Sequence, residues 1–302
     1  MMSPGYLWLC IRRDWKRGWS ATWHDYVTTN RIARWENPHR GEPVQEVPVV
    51  VLTGKDTWRI CRWMLASWFH FTGRNWRVVI HDDGTLDRGM KEALCAMGDS
   101  ILIRGRENAD SVMEKELEAY PHCLDYRKRH PLSIKAFDVP HFIESERYLL
   151  LDSDVLFFRR PDELLRWVDD DDGGCWFNAD VAEPSPLPPD EALGQVGVAL
   201  WPKVNSGLCC LRRSVTSWED FNRWLEVRQL REGNPWRVEQ TLIALGASSG
   251  GVGGLLPDTY EVSLGDWAAG DNLVARHYVG AVRQRYFAEG IRRVAPDLLR
   301  SR

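Results

Sequence analysis

"RYLLLDSDVLFFRRP" (147–161) places two aspartates, Asp152 and Asp154, one residue apart inside an apolar run. A buried carboxylate is costly unless it is paired or holds a metal. "RYLLL" (147–151) has the unbroken apolar character of a strand covered on both faces, so a strand is expected to end at the aspartates. In extended backbone residues i and i+2 point the same way, and the pair could then offer both carboxylates to one hard cation, Mn2+ or Mg2+. D-x-D alone is a weak motif, and a solvated turn after a strand is the plain alternative.

Upstream, "VPVVVL" (47–52) is another buried β-branched run, broken by Thr53-Gly54. A helix is expected over 57–72, a strand over 77–84 ending at Asp82 and Asp83, a helix over 86–97 and a strand over 100–105. A helix over 131–145 then leads into the aspartate strand. This alternation is the rhythm of a parallel α/β sheet. In such sheets ligands bind beyond the carboxyl ends of the strands, which is where Thr53-Gly54, Asp82-Asp83 and Asp152-Ser153-Asp154 fall.

Downstream, "EPSPLPPDEALG" (183–194) reads as a lid or substrate loop. "VNSGLCCL" (204–211) reads as a strand. A helix over 234–245 has Asn234 as its N-cap and Pro235 at its first position. "SSGGVGGLLP" (248–257) lacks the spacing of a phosphate loop and reads as a plain connection. "NLVARHYVG" (272–280) is strand-like, and the acidic run 169–172 reads as an exposed loop.

The chain has 302 residues, 44% hydrophobic and 27% charged, as expected of a globular protein. No apolar run reaches the ~18 residues that span a bilayer, and no secretory signal is recognisable, so the expectation is cytoplasmic. The seven cysteines include no C-x-x-C pair, which argues for reduced, mostly buried thiols. The net charge of −4 is uneven. Residues 1–40 carry seven Arg/Lys against three Asp/Glu, and residues 276–302 seven Arg against two acids, leaving −13 for the middle. An acidic chain is no candidate for nucleic-acid binding.

Residues 1–43 form a Trp-rich extension. Trp15, Trp19 and Trp23 recur at i, i+4 and i+8, with Trp8 and Ile11 upstream and Arg12, Arg13, Lys16 and Arg17 between. This pattern predicts an amphipathic helix, packed onto the domain or lying on a membrane surface. The remainder divides into one catalytic domain, 44–290, and a basic tail, 291–302.

"RYLLLDSDVLFF" resembles the D-x-D segment of the GT-A glycosyltransferases, whose D-x-D pair holds a divalent cation on the diphosphate of a nucleotide-sugar. Other segments resemble that fold in the same order. "VVVLTGKD" and "VVIHDDGTL" resemble the strand ends that cradle the nucleoside, which implies contacts from Thr53, Gly54 and Asp83. "HPLSIKAFDVPHFIES" resembles the helix before the D-x-D strand, with Lys135 at its basic position facing the phosphates. "VNSGLCCL" resembles the F-N-[AS]-G segment near the donor sugar, with Asn205 and Gly207. Glu239-Gln240 resembles the D-Q pair of the glycogenin and lipopolysaccharide galactosyltransferase group. "HYVGAVR" (277–283) resembles that group's H-x-x-G-x-x-K, with His277 as third metal ligand, Gly280, and Arg283 in place of Lys.

The resemblance covers roughly 47–285. It implies an α/β GT-A fold with a mostly parallel, Rossmann-like central sheet. It further implies metal-dependent, hexosyltransferase-like transfer from a UDP-sugar to a glycan, lipid or small-molecule acceptor. Asp152, Ser153 and Asp154 would meet cation and donor. Retention of configuration would put Gln240 close to the sugar, whereas inversion would need Glu239 as base. Glu239 in place of Asp, and Gln284-Arg285 in place of Pro-Trp, depart from the group's pattern.

Two rival readings remain at this stage. D-x-D also opens phosphatases of the haloacid dehalogenase type, with Asp152 as nucleophile, and "GDWAAGD" (265–271) fits the spacing of their metal acids. Against this, Leu156 stands where Thr or Val is usual, and the motif follows 150 residues of α/β pattern. The second rival is a non-catalytic sugar-nucleotide or glycan binder on the same fold.

Overall fold

The computed structural model describes residues 8, 12, 15, 18–39, 41–43, 47–170, 173–265, 267, 270 and 272–299. Ile11, Arg13, Lys16, Arg17, Asp171, Asp172, Asp266 and Asp271 lie outside them, as do residues 300–302. The described residues form ten strands: β1 (Val49–Thr53), β2 (Val78–Asp82), β3 (Ile101–Arg104), β4 (Arg147–Leu151), β5 (Val155–Phe157), β6 (Cys175–Ala179), β7 (Val204–Arg212), β8 (Gly253–Leu255), β9 (Tyr260–Val262) and β10 (Ala275–His277). Their order is β3-β2-β1-β4-β7-β6-β9-β10-β5, with β8 also on β6.

β3, β2, β1 and β4 run parallel, and β1 and β2 are buried along their whole length, as their unbroken apolar sequences require. β7 is antiparallel to β4, and β6 to β7. β5 follows β4 in the chain after only three residues, yet pairs antiparallel with β10 at the far end of the sheet. The sheet must therefore curl, so that its β10–β5 end returns to the aspartates that follow β4 in the middle of the order.

One core lies between one sheet face, the helix Trp58–Thr72 and the C-terminal helix, and includes Trp63, Trp68, Trp76, Trp167, Tyr286 and Val294. A second lies on the other face, beneath the helices Pro121–Arg129 and Pro235–Gly250. Within it Arg127 and Asp138 form a buried bidentate pair. Ala21, Ile32 and Trp35 of the N-terminal extension, and Ile291, Val294, Ala295 and Leu298 near the C-terminus, belong to the first core. Five of the six cysteines in the described residues are buried, and none of the six forms a disulfide. Among these residues no helix is long and apolar enough to cross a membrane.

Several segments differ from expectation. The helix expected over 131–145 is a 3-10 turn, Pro131–Lys135, followed by a short helix, Asp138–Phe142. Proline at 131 and 140 removes two N–H donors from this stretch. The glycine-rich connection contains a strand, β8, because the helix before it runs on to Gly250. Gly253 has φ +128° there, and a Cβ would sit 1.9 Å from the Cys175 carbonyl oxygen, so only glycine fits. The single N-terminal Trp helix is interrupted at Gly18, φ +83°, between Trp15 and Trp19. Asp169 and Asp170 close a helix rather than a loop, and Asp169 accepts both hydrogen bonds of a bidentate Arg74 pair.

Candidate active site

The parallel strands end together. Thr53 of β1 is in register with Asp82 of β2, and Asp152 follows β4, the other neighbour of β1. Asp152-Ser153-Asp154 is a tight turn closed by Val155 N–H on the Asp152 carbonyl (3.1 Å), not the extended segment expected. The two carboxylates nevertheless converge. Asp154 is buried, and His277 on β10 is opposite Val155 in the β10–β5 ladder. Its Nε2 lies 3.2 Å from Asp154 Oδ1 and 3.7 Å from Asp152 Oδ2. One ligand atom from each of the three lies within 4.8 Å of the others.

The orientation of His277 is fixed from behind. Asn205 Nδ2 donates to Asp180 Oδ2 (2.9 Å), which assigns the amide. Asn205 Oδ1 then accepts from Gly207 N–H and from His277 Nδ1, both at 2.9 Å. The proton on Nδ1 leaves Nε2 facing the two carboxylates. Gly207 makes room for the ring, because a Cβ there would lie 2.2 Å from His277 Cε1. Two carboxylates and an imidazole backed by a hydrogen bond make a donor set that fits Mn2+ or Mg2+, with positions left for other ligands.

Two cations flank the triad. Buried Lys135 lies 2.7 Å from Asp152 and 3.8 Å from Glu239. Arg283 donates from Nε and Nη2 to Asp154 Oδ2, at 3.1 and 2.8 Å. Burial alone would raise the Asp154 carboxyl, but His277 and Arg283 hold it well below the usual range. Burial alone would also lower Lys135 and His277, and their carboxylate neighbours raise both instead. Glu239 goes the other way. Burial pushes it up to about 7, and Lys135 only partly offsets this because it is turned toward Asp152.

A cavity of about 1010 Å³ opens over this cluster. All fourteen residues singled out from the sequence line it: Thr53, Gly54, Asp83, Lys135, Asp152, Ser153, Asp154, Asn205, Gly207, Glu239, Gln240, His277, Gly280 and Arg283. Gly54 lets the backbone pass against Asp83, whose carboxylate a Cβ would meet at 2.1 Å. Gln240 Oε1 accepts from Ser206 N–H (2.9 Å), while its buried Nε2 has no partner among the described residues. Asp82 is structural, accepting from the N–H groups of Gly84, Thr85 and Leu86 and pairing with Lys91. Sequence reading missed Asp180, Glu183, Trp236 and Arg237, which complete the cavity wall. No motif marks them, although Glu183 opens the Pro-rich segment whose sequence suggests a lid or substrate loop.

No protein-family model matches the chain, and no curated protein matches it by sequence. Solved structures do match. An active-site mutant of the galactosyltransferase LgtC is 14% identical, covers 85% of this chain and 98% of its own, and superposes with a TM-score of 0.53. Mouse xyloside xylosyltransferase 1 is 10% identical, covering 78% and 98%, at 0.47. Core-mannan synthase A of Aspergillus fumigatus, in a Mn/GDP form, is 10% identical, covering 74% and 76%, at 0.47. The architecture is thus the GT-A fold expected from the D-x-D strand and its surroundings.

Proposed function

We propose that the chain is a metal-dependent glycosyltransferase that moves a sugar from a nucleotide-sugar, with UDP as the nucleotide, to a hydroxyl of a glycan, lipid or small-molecule acceptor. One observation carries this reading. Asp152 and Asp154 from the β4–β5 turn and His277 from β10 of a curled sheet converge between two cationic side chains at the carboxyl ends of the parallel strands. A solvated turn has no need of a glycine-cleared, hydrogen-bonded histidine. The superposition on a galactosyltransferase structure gives no support to the phosphatase reading.

Asp152, Asp154 and His277 would hold the cation, and Thr53, Gly54 and Asp83 the nucleoside. When bound, Mn2+ or Mg2+ supplies Lewis-acid neutralisation of the diphosphate leaving group. Lys135 and Arg283 add positive charge where negative charge grows as the sugar–phosphate bond breaks. The acceptor oxygen bonds to the anomeric carbon, the bond from that carbon to the phosphate oxygen breaks, and the acceptor proton passes to the departing phosphate. Asn205 and Gln240, which line the cavity, would hold the sugar. Glu239 is buried against Ser206 and Lys135, a poor position for a base that must reach an acceptor. This favours attack on the face of the leaving group, with retention.

The test is a set of thermal melts with UDP, GDP, CDP and dTDP, each with and without Mn2+, on wild type and Asp154→Ala. A ligand at 100 times its Kd stabilises by about 2.7 kcal/mol. A shift needing both UDP and Mn2+, absent in the variant, is expected. No shift with any nucleotide would overturn the reading.

A further inference from the structure

Four tryptophans of the N-terminal extension, unlike Trp35, do not pack into the domain. Trp15 is 87% exposed, Trp19 83%, Trp8 59% and Trp23 52%. Isolated exposed apolar residues are ordinary, but four indoles within sixteen residues of chain are not. The helical run that carries Trp19 and Trp23 is nonetheless anchored by its other face. Ala21, Thr28, Thr29 and Ile32 are buried, Trp63 Nε1 donates to the Thr29 carbonyl (3.1 Å) and Arg62 Nη2 to the Ile32 carbonyl (3.1 Å). The surface is therefore a built one, held in place by the core while its indoles face outward.

The fold also adds a feature that sequence order hides. The segment Tyr286–Ile291 packs against Trp19–Trp23 and His24–Thr28, so the two basic ends of the chain meet. Arg292 lies close enough to His24 that its charge, second to burial, lowers that imidazole. Arg12, Arg31, Arg34 and Arg292 are all exposed, and Arg12 sits 5.4 Å over the Trp8 ring. Arg293 is exposed beside Arg292, whereas Arg276 is buried against Glu289 and Arg283 faces Asp154, so neither of those two belongs to this surface.

We infer that this composite face docks on a bilayer rich in anionic lipid. The indoles would lie at headgroup depth, where an apolar ring with a polar N–H is most favourable, and the arginines would meet the phosphates. Charge complementarity selects this occupant, because a bilayer with a negative surface offers both an apolar layer and the counter-charge for this mixture of indole and guanidinium. The inference stands independently of what the cavity transfers.

The experiment is co-sedimentation of the full chain with phosphatidylcholine vesicles and with phosphatidylcholine/phosphatidylglycerol vesicles. The variants are Trp15→Ala/Trp19→Ala/Trp23→Ala and Arg292→Ser, with melting and gel filtration run in parallel. The expected result is binding to the anionic vesicles about tenfold tighter than to the neutral ones and weakened by salt. The triple variant, melting as wild type does, should lose about tenfold or more in binding, and Arg292→Ser should lose less. Three results would overturn it: wild type left in the supernatant with both vesicles, a triple variant that sediments like wild type, or a wild-type dimer that the triple variant dissolves while neither binds vesicles.

Discussion

Lys135 is 2.7 Å from Asp152 but 3.8 Å from Glu239, although both carboxylates share the same buried ammonium. It comes from a 3-10 turn, Asp152 from the end of β4 and Glu239 from the helix Pro235–Gly250, so one cation ties three elements together. Removing one partner of a buried pair leaves the other charge uncompensated. Lys135→Met should cost about 3–5 kcal/mol by urea unfolding. If its midpoint matches wild type, the pair carries little stability.

The unequal distances also set a pH dependence. An unfolded glutamate titrates near 4.5, and in the fold Glu239 is pushed up to about 7. The folded state therefore holds this proton more tightly. The resulting stability is fully present below about 4.5, declines across the window between, and is lost as pH rises through about 7. Glu239→Gln removes that titration. The gap in urea midpoint between wild type and variant should change from pH 4.5 to pH 8, with wild type faring relatively worse at the higher pH. A constant gap would show that Glu239 does not titrate there.

Asn205→Ala should act on the cation site while leaving Asp152, Asp154 and His277 themselves in place. Asn205 Oδ1 fixes the Nδ1–H of His277, and loss of such a partner typically weakens metal affinity 10–100-fold. Titrating Mn2+ by calorimetry gives the answer directly. Affinity equal to that of wild type would place His277 outside the metal's ligands.

Gly207→Ala tests the clearance for the same ring. Its Cβ would lie 2.2 Å from Cε1, so His277 must move. Overpacking of this kind costs about 1–3 kcal/mol. The variant should fold, melt earlier and bind Mn2+ more weakly than Asn205→Ala does. An unchanged melt would mean that the ring shifts freely.

Much of this was legible in the sequence because strands and their ends are local features. The apolar runs at 49–52 and 147–151 mark the two central strands, and the polar groups just after them line the cavity. What was misread depended on contacts between distant segments. The expected helix over 131–145 is divided so that Lys135 ends a 3-10 turn facing Asp152. Gly253 reads as a loop residue until Cys175 is seen to lie against its Cα. Asp180 gains its place only through Asn205, and Trp236 only through the cavity's far wall. The i, i+4, i+8 spacing of the tryptophans suggested one helix, yet Gly18 leaves it with a positive φ.

The pairing of β10 with β5 has a consequence in time. Asp152 and Asp154 are made more than a hundred residues before His277, and only the closing ladder, His277 against Val155, brings them together. Loop closure of that length is slow and comes after local structure has formed. A chain still being synthesised would carry both aspartates without the histidine. Capture of the proposed cation would then be among the last events of folding, and a metal-sensitive probe would report completed molecules.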